Sequence, residues 1–367
     1  LATVMFSSGS TGEPKGVMLT HKNINSNIEG LYQVFHTQKD DVVMGVVPMF
    51  HSFGFTGALW YPLITGMGVV YHNNPLDFKV TGEMIKKHKA TLLMATPTFL
   101  MGHIRKCSPE QFASLRYVVT GAEKLKDRIA QSFTKKFNIT PLEGYGCTEL
   151  SPVVSVNVPD VIDKEIKQVG NKPGTIGRPL PGITAKVVHT DTFGELQAGE
   201  DGLLLIKGPN VMLGYLGDRQ NTQDVMHNEW YITGDIATID DDGFITIKDR
   251  LSRFSKIGGE MVPHIKIEEE IHSRLGVSNE QICAVTSVHD ERKGESLAVL
   301  YKGNIDIQKL CTEMLNSELP KLWLPKQSAY HQVDEISILG SGKLDLKRIK
   351  AMASTLTPIS IFTNKSI

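Results

Sequence analysis

The sequence has little cysteine and no excess of charge of one sign. Its 367 residues include four cysteines, and none of them forms a CxxC pair. This spacing excludes a disulfide framework or a zinc site built on such pairs, and it is typical of a reducing compartment. The net charge is -1, so there is no general electrostatic reason to expect a nucleic-acid partner.

Signature motifs of three enzyme classes are also missing. The sequence contains no GxxxxGK[ST] Walker A loop, no GxSxG nucleophile elbow and no pair of HRD and DFG motifs. These absences disfavour a Walker-type phosphate loop, a nucleophile-elbow hydrolase and a protein kinase.

A long unbroken apolar run is lacking as well, although residues 42–71 contain no Asp, Glu, Lys or Arg. The region is long enough to span a membrane, but Pro48, His51, Pro62 and five glycines interrupt it. We therefore expect a strand, a loop, a helix and a second strand, all buried, rather than a membrane span.

The sequence does contain a glycine- and hydroxyl-rich stretch at residues 7–16, SSGSTGEPKG, directly after the apolar residues 4–6. Glycines let backbone N–H groups turn toward an anion, while hydroxyls and a lysine add donors and positive charge. A flexible Ser/Gly linker is the alternative, but a linker needs neither Pro-Lys-Gly nor a strand leading into it. The stretch therefore predicts a phosphate cradle formed by Ser7, Ser8, Gly9, Ser10, Thr11, Gly12 and Lys15.

Segments of strand and helix type alternate through the first part of the chain. This alternation predicts an α/β fold, with a large N-terminal domain built on a mainly parallel sheet. Ligands of such sheets bind at the carboxyl ends of the strands. We expect glycine-rich stretches to lie at these ends, namely residues 7–16, 121–123 and 144–149.

The pattern changes twice further along the chain. From about residue 175, short strands separated by turns predict an antiparallel, β-barrel-like portion. Beyond residue 250 we expect a small, mobile α+β domain over 251–350, followed by a tail over 351–367. The large domain, 1–250, begins with Leu1 and enters a strand-like run at once, so we expect further sequence upstream.

Five ordered stretches resemble the adenylate-forming superfamily of acyl-CoA synthetases, luciferases and nonribosomal adenylation domains. They are the cradle, GYGCTE at 144–149, YITGD at 231–235, Asp249-Arg250, and GSGK at 340–343. The resemblance extends from residue 1 to about residue 350. Within the superfamily, residues 253–262 and 339–343 resemble the acyl-[acyl-carrier-protein] synthetase half of the bifunctional 2-acylglycerophosphoethanolamine acyltransferase.

This resemblance implies a two-step reaction that uses ATP and Mg²⁺. A carboxylate attacks the α-phosphate of ATP, giving acyl-AMP and pyrophosphate, and a thiol then takes the acyl group and releases AMP. The cradle would hold the leaving β- and γ-phosphates, Thr148 would donate to the α-phosphate, and Glu149 would be the magnesium ligand. The alternative for Glu149 is a solvated surface acid.

The resemblance also implies a nucleoside site. Tyr145, followed by Gly146, would stack on adenine, although a core tyrosine is the alternative. Asp235 would accept hydrogen bonds from the ribose hydroxyls, and Arg250 would contact ribose or phosphate. The adenine site would be lined by Gly121, Ala122 and Glu123.

Lys343 is implied as the adenylation lysine, which bridges the attacking carboxylate and the α-phosphate. An exposed lysine without a role is the alternative, which the preceding Gly-Ser-Gly disfavours. His51 would border the acyl pocket, unless it is a buried structural histidine. Ser252 departs from the Asp or Lys that many relatives carry at the hinge, so usual charge contacts are absent there.

The resemblance implies a fatty-acid ligase that loads acyl carrier protein. A long-chain acyl-CoA synthetase using coenzyme A is one alternative, and a nucleotide-binding but inert fragment is another. We expect a cytoplasmic location. Contact with the inner face of a membrane would occur only through an attached acyltransferase part that is not in this chain.

Overall fold

The structure is a computed structural model that describes residues 1–7, 14–163, 166–277, 280–338 and 344–357. Two compact units are formed, the first ending at Lys248 and the second beginning at Asp249. Each unit has its own hydrophobic clusters.

The first unit contains most of the strands and helices. Its strands are β1 Thr3–Ser7, β2 Lys15–Leu19, β3 Val42–Gly45, β4 Gly68–Tyr71, β5 Leu92–Ala95, β6 Tyr117–Thr120, β7 Leu142–Gly146, β8 Val153–Val156, β9 Val161–Asp163, β10 Ile166–Gln168, β11 Arg178–Pro179, β12 Thr184–Val188, β13 Gly202–Lys207, β14 Gly214–Tyr215, β15 Met226–His227, β16 Trp230–Ile239 and β17 Ile245–Arg250, which runs across the boundary between the units. Its α-helices are α1 His21–Phe35, α2 Ser52–Gly54, α3 Tyr61–Thr65, α4 Phe78–His88, α5 Pro97–Lys106, α6 Asp127–Phe137 and α7 Arg219–Asp224.

A mainly parallel sheet forms the centre of the first unit, as the alternation of segments predicts. Its strand order is β11-β8-β7-β6-β5-β3-β4, and the strands from β4 to β7 are parallel, whereas β8 and β11 pair antiparallel. Helix α6 packs on this layer because Ile129, Phe133 and Phe137 recur at every fourth position and are all buried. The sheet brings the ends of β6 and β7 side by side, with residues 121–123 and 147–149 directly after them.

The portion predicted as barrel-like contains an antiparallel sheet of the order β12-β13-β16-β15, with β17 also paired to β16. The phosphate cradle is not at the carboxyl end of a parallel strand, so that expectation is wrong. Instead β1 and β2 pair antiparallel, with Ser7 opposite Lys15, in a separate sheet whose order is β1-β2-β14. Residues 8–13, between these strands, lie outside the described residues.

Residues 42–71 fold into the predicted order of strand, loop, helix and strand. The helical part comprises α2, a π-helical segment Phe55–Trp60, and α3. The expectation that all of it is buried is wrong, because Phe50 is 84% exposed and Leu63 is 66% exposed. Within the described ranges, no helix has both the length and the apolar character that a membrane crossing requires.

The second unit is a small α+β arrangement. Its elements are β18 Phe254–Ile257, β19 Glu260–Pro263, α8 His264–Arg274, β20 Cys283–Asp290, β21 Gly294–Tyr301, α9 Ile307–Met314, β22 Tyr330–Gln332 and α10 Leu346–Leu356. The sheet order is β19-β18-β21-β20, with β22 parallel to β21.

A tail beginning at residue 351 is not what the structure has, because α10 crosses that position. Ile349 and Ala353 lie one helical turn apart and are both fully buried, which anchors the helix to the unit. Asp345 caps its first turn by accepting from the backbone N–H of Arg348. The last ten residues, 358–367, lie outside the described residues.

Candidate active site

Glu149 lies on a single 3₁₀ turn, Thr148–Leu150, that follows β7. It is only 8% exposed, so the alternative of a solvated surface acid is wrong. Its Oε1 atom accepts hydrogen bonds from the Tyr215 hydroxyl at 2.9 Å and from Ser7 Oγ at 3.4 Å. A buried carboxylate is stable only when such donors compensate for lost hydration.

Lys15, the first residue of β2, contacts Tyr215, the residue that donates to Glu149. Its Nζ lies 4.9 Å from the centroid of the Tyr215 ring and 3.2 Å from Asn221 Oδ1. Asn221 is itself held, since its amide nitrogen donates to Asp218 Oδ2 at 2.6 Å. The structure therefore brings together Ser7, Lys15 and Glu149 from three separate parts of the chain.

Thr148 and His51 lie in two neighbouring parts of the first unit. Thr148 Oγ1 donates to Ser52 Oγ at 3.3 Å, which connects the turn bearing Glu149 to the start of α2. His51 is exposed, so the alternative of a buried structural histidine is wrong. Its Nδ1 accepts from the backbone N–H of Phe53 at 3.2 Å and so caps α2.

Glu149 fits a magnesium ion that is held mainly by phosphate oxygens. Both of its side-chain hydrogen bonds end on Oε1, and Oε2 accepts none from the described residues. Mg²⁺ commonly takes one or two carboxylates and completes its shell with water and phosphate oxygens. Across the described parts of the chain, no three His, Cys, Asp or Glu side chains gather into a metal-binding group, so an all-protein cage is not formed there.

Tyr145 and Asp235, the two predicted nucleoside contacts, are hydrogen-bonded to each other. The Tyr145 hydroxyl donates a short hydrogen bond to Asp235 Oδ2. Thr233 Oγ1 accepts from the Asp235 backbone N–H at 3.1 Å and donates to Leu204 O at 2.8 Å. A phenol ring and a buried carboxylate are thus adjacent.

The segment Gly121-Ala122-Glu123 follows β6 and lies against β7. A Cβ on Gly121 would be 3.2 Å from the carbonyl oxygen of Gly144. Ala122 has φ 67°, a conformation that costs a residue other than glycine about 1 kcal/mol. Glu123 accepts from Thr98 Oγ1 at 2.7 Å. The segment therefore lies beside the strand bearing Tyr145. The surrounding packing must compensate for the backbone strain at Ala122.

Gly146 is required by a close backbone approach. A Cβ at this position would lie 1.8 Å from the carbonyl oxygen of Pro152. The chain turns here from β7 toward Thr148 and Glu149, and the ladder between β7 and β8 shifts register at the same point. Glycine allows this turn and so determines where the Glu149 carboxylate lies.

Two tyrosines lie beside the predicted residues: Tyr231, which belongs to the YITGD motif, and Tyr215, which no motif includes. Tyr215 contacts both Glu149 and Lys15. Burial, followed by the charges of Cys147 and Glu149, raises the pKa of Tyr231 well above its usual range. No periodicity or motif in the sequence identifies Tyr215, since its neighbours come from distant parts of the chain.

Several predicted residues are not tested by this geometry. Lys343 and the cradle residues Ser8, Gly9, Ser10, Thr11 and Gly12 lie outside the described residues. Arg250 belongs to the second unit, where its backbone N–H donates to Asp249 Oδ1 at 2.8 Å.

The chain is similar to known enzymes over most of its length. The model of the AMP-binding enzyme family matches residues 1–216. A long-chain-fatty-acid–CoA ligase of Bacillus subtilis is 32% identical over 360 residues, covering 95% of this chain and 61% of that protein. The chain therefore spans less than two thirds of this relative.

Solved structures give the same result. ATP-bound MatB from Rhodopseudomonas palustris superimposes with a TM-score of 0.78 at 26% identity, covering 98% of this chain and 69% of that one. O-succinylbenzoate coenzyme A synthetase from Bacillus subtilis, solved with ATP and a magnesium ion, has a TM-score of 0.76 at 25% identity, covering 95% and 69%. On the family match and these likenesses, the chain belongs to the AMP-binding, adenylate-forming family of enzymes.

Proposed function

We propose that this chain is the adenylating part of an ATP-dependent acid–thiol ligase that activates a fatty acid as acyl-AMP. The observation that carries the proposal is that Ser7 and Tyr215 contact Glu149 while Lys15 contacts Tyr215, which forms one cluster in the first unit. The Tyr145–Asp235 pair belongs to the same unit. Hydroxyl and ammonium donors beside a carboxylate suit a polyphosphate with its cation.

In the first step, a fatty-acid carboxylate oxygen attacks the α-phosphorus while the bond to the bridging β-phosphate oxygen breaks. Lys15 and Ser7 stabilise the charge that develops on the departing pyrophosphate, and Thr148 donates to the α-phosphate. Tyr145 and Asp235 hold the nucleoside so that the α-phosphorus faces the acid. Glu149 would hold Mg²⁺, which would neutralise part of the charge on the phosphates.

In the second step, a thiol sulfur attacks the acyl carbon, the bond to AMP breaks, and the thiol proton is lost to solvent or phosphate. We propose acyl carrier protein as the thiol donor, since residues 253–262 and 339–343 resemble the carrier-protein-loading branch. Coenzyme A is the second candidate, because the Bacillus relative is named a fatty-acid–CoA ligase. Fatty acid is proposed as the acid on the same relative and on the apolar residues 42–71.

The test is ATP–pyrophosphate exchange with a series of fatty acids, followed by addition of coenzyme A or of acyl carrier protein. We expect exchange that depends on the acid and on Mg²⁺, then acyl transfer to the carrier protein. Loading of coenzyme A alone would contradict the carrier-protein assignment. ATP binding without exchange for any acid would favour an inert nucleotide-binding fragment.

A further inference from the structure

We propose that Tyr215 is a positioning residue that holds the Glu149 carboxylate and the Lys15 ammonium in one arrangement; this inference rests on the function proposed above. The residue is 5% exposed, and its hydroxyl and its ring contact different partners. Its hydroxyl donates to Glu149 Oε1 at 2.9 Å, and its ring lies 4.9 Å from Lys15 Nζ.

The two partners need such a contact because the side chain of each can rotate about several bonds. The backbone of the turn that bears Glu149 is held, since the Glu149 carbonyl oxygen accepts from the Met212 N–H at 2.8 Å, but this bond does not orient the carboxylate. Long side chains lose entropy when a ligand orders them. Contacts that order them beforehand therefore strengthen ligand binding.

Tyr215 is itself fixed on both sides. Strand β14 pairs antiparallel with β2, which places Tyr215 opposite Val17, two residues after Lys15. The Tyr215 backbone N–H donates to Thr222 Oγ1 at 2.9 Å, which connects β14 to α7. Because α7 also carries Asn221, the same helix supplies the acceptor for Lys15 Nζ.

A buried tyrosine generally finds a hydrogen-bond partner, so packing alone could explain one contact. The combination is more specific, since the acceptor is the predicted magnesium ligand and the ring faces the predicted phosphate lysine. Groups that orient a metal ligand typically change metal affinity about 10- to 100-fold when removed. We therefore expect the Tyr215 hydroxyl to affect the binding of Mg²⁺ through Glu149, and the ring to affect the binding of phosphate through Lys15.

The test compares ATP binding to the 367-residue chain in Mg²⁺ with binding in EDTA, by equilibrium dialysis without fatty acid. The ratio of the two dissociation constants measures the contribution of the metal. Tyr215→Phe keeps the ring, so we expect metal-free ATP affinity to stay within about twofold while the Mg²⁺ enhancement falls about tenfold. Tyr215→Leu removes both parts and should also weaken metal-free binding.

Glu149→Gln removes the proposed magnesium ligand, so its dissociation constants give the reference value for complete loss of the Mg²⁺ enhancement. Tyr61→Phe is the matched control, because it removes another buried hydroxyl, which shares a hydrogen bond with Thr37 at 2.9 Å. Thermal unfolding should show similar midpoints for the two Tyr→Phe variants, since both keep their ring.

Three outcomes distinguish the ideas. Selective loss of the Mg²⁺ enhancement in Tyr215→Phe supports the positioning role. Full enhancement in Tyr215→Phe, with its loss in Glu149→Gln, overturns the positioning role and leaves the proposed function standing. Failure of the unaltered chain to bind ATP under either condition overturns both.

Discussion

Two glutamates of the first unit, Glu143 and Glu149, are both buried, but they meet different partners. Glu149 accepts from the hydroxyls of Ser7 and Tyr215. Glu143 accepts from the backbone N–H of Leu125 at 2.9 Å, and burial raises its pKa to about 7. At the scale of the residue, the two carboxylates therefore differ in their donors, which are side-chain hydroxyls for Glu149 and a backbone N–H for Glu143.

Glu143 should make stability depend on pH. Its folded pKa of about 7 lies above the ordinary value of 4.5, so the folded state binds more protons between these values. Stability from this group is present below about pH 4.5 and is lost as the pH rises through about 7. Glu143→Gln keeps the acceptor for Leu125 and removes this loss, which is at most roughly 3 kcal/mol.

Urea denaturation of both proteins at about pH 5 and about pH 8 measures the effect. We expect the Gln variant to be the more stable one, relative to the unaltered chain, at the higher pH only. Glu83→Gln, at an exposed position, is the control. Equal pH dependence in all three proteins would mean that Glu143 titrates as it does in the unfolded chain.

Lys343 is the residue on which adenylation is predicted to depend most. Lys343→Ala should lower ATP–pyrophosphate exchange by about 100-fold or more, because no ammonium would then offset the repulsion between carboxylate and α-phosphate. Thiol transfer from supplied acyl-AMP should survive, since that half-reaction does not join two anions.

The matched control is Lys347→Ala, which removes an exposed lysine of α10. Both half-reactions should proceed in that variant. Undiminished exchange in Lys343→Ala would assign the role to another residue.

At the scale of the element, β7 and the turn after it determine where the site residues lie. The strand carries Tyr145, Gly146 ends it, and Thr148 and Glu149 follow within three residues. Pairing with β6 on one side and β8 on the other keeps this strand in the middle of the sheet. The site therefore depends on one tight turn more than on any helix.

Gly146→Ala tests that dependence. An added Cβ would lie 1.8 Å from the Pro152 carbonyl oxygen, so the backbone must move. We expect a loss of several kcal/mol in unfolding free energy, about 3 or more, together with weaker ATP binding. Denaturant unfolding and equilibrium dialysis measure the two effects.

Gly121→Ala is the matched comparison, since its Cβ would be 3.2 Å from the Gly144 oxygen and needs only a slight adjustment. It should cost clearly less than Gly146→Ala. Similar costs for the two variants would show that the turn at Gly146 is not the tighter constraint.

At the scale of the whole molecule, the chain consists of two units with separate cores. The second unit has an apolar cluster that includes Ile257, Val262 and Ile267. Its buried Glu268 is also satisfied internally, by Arg253 at 2.7 Å and by the Val285 backbone N–H at 2.8 Å. These contacts need nothing from the first unit.

We therefore expect residues 249–367, expressed alone, to fold as a cooperative domain. Circular dichroism during heating should give a single sigmoidal transition, and amide NMR signals should be dispersed. Ile267→Asp, which places a charge at a fully buried position, should abolish the transition. A featureless melt of the unaltered fragment would mean that its core depends on the first unit.

Much of the fold could be predicted because it is recorded in local patterns. The alternation of apolar segments predicts the parallel sheet, and the spacing of Ile129, Phe133 and Phe137 predicts α6. The position of the cradle was not predictable in this way. A strand followed by glycines precedes a helix in one fold and a second antiparallel strand in another, and only the pairing of β1 with β2 distinguishes them.

The sequence by itself determined which reactive side chains this protein carries, because its cradle and ordered motifs contain them. Only the tertiary structure decided which of them meet. Tyr215 is 66 positions from Glu149, and Lys15 is 206 positions from Asn221. Contacts over such separations depend on strand pairing and on buried donors finding acceptors, and neither leaves a periodic signal in the chain.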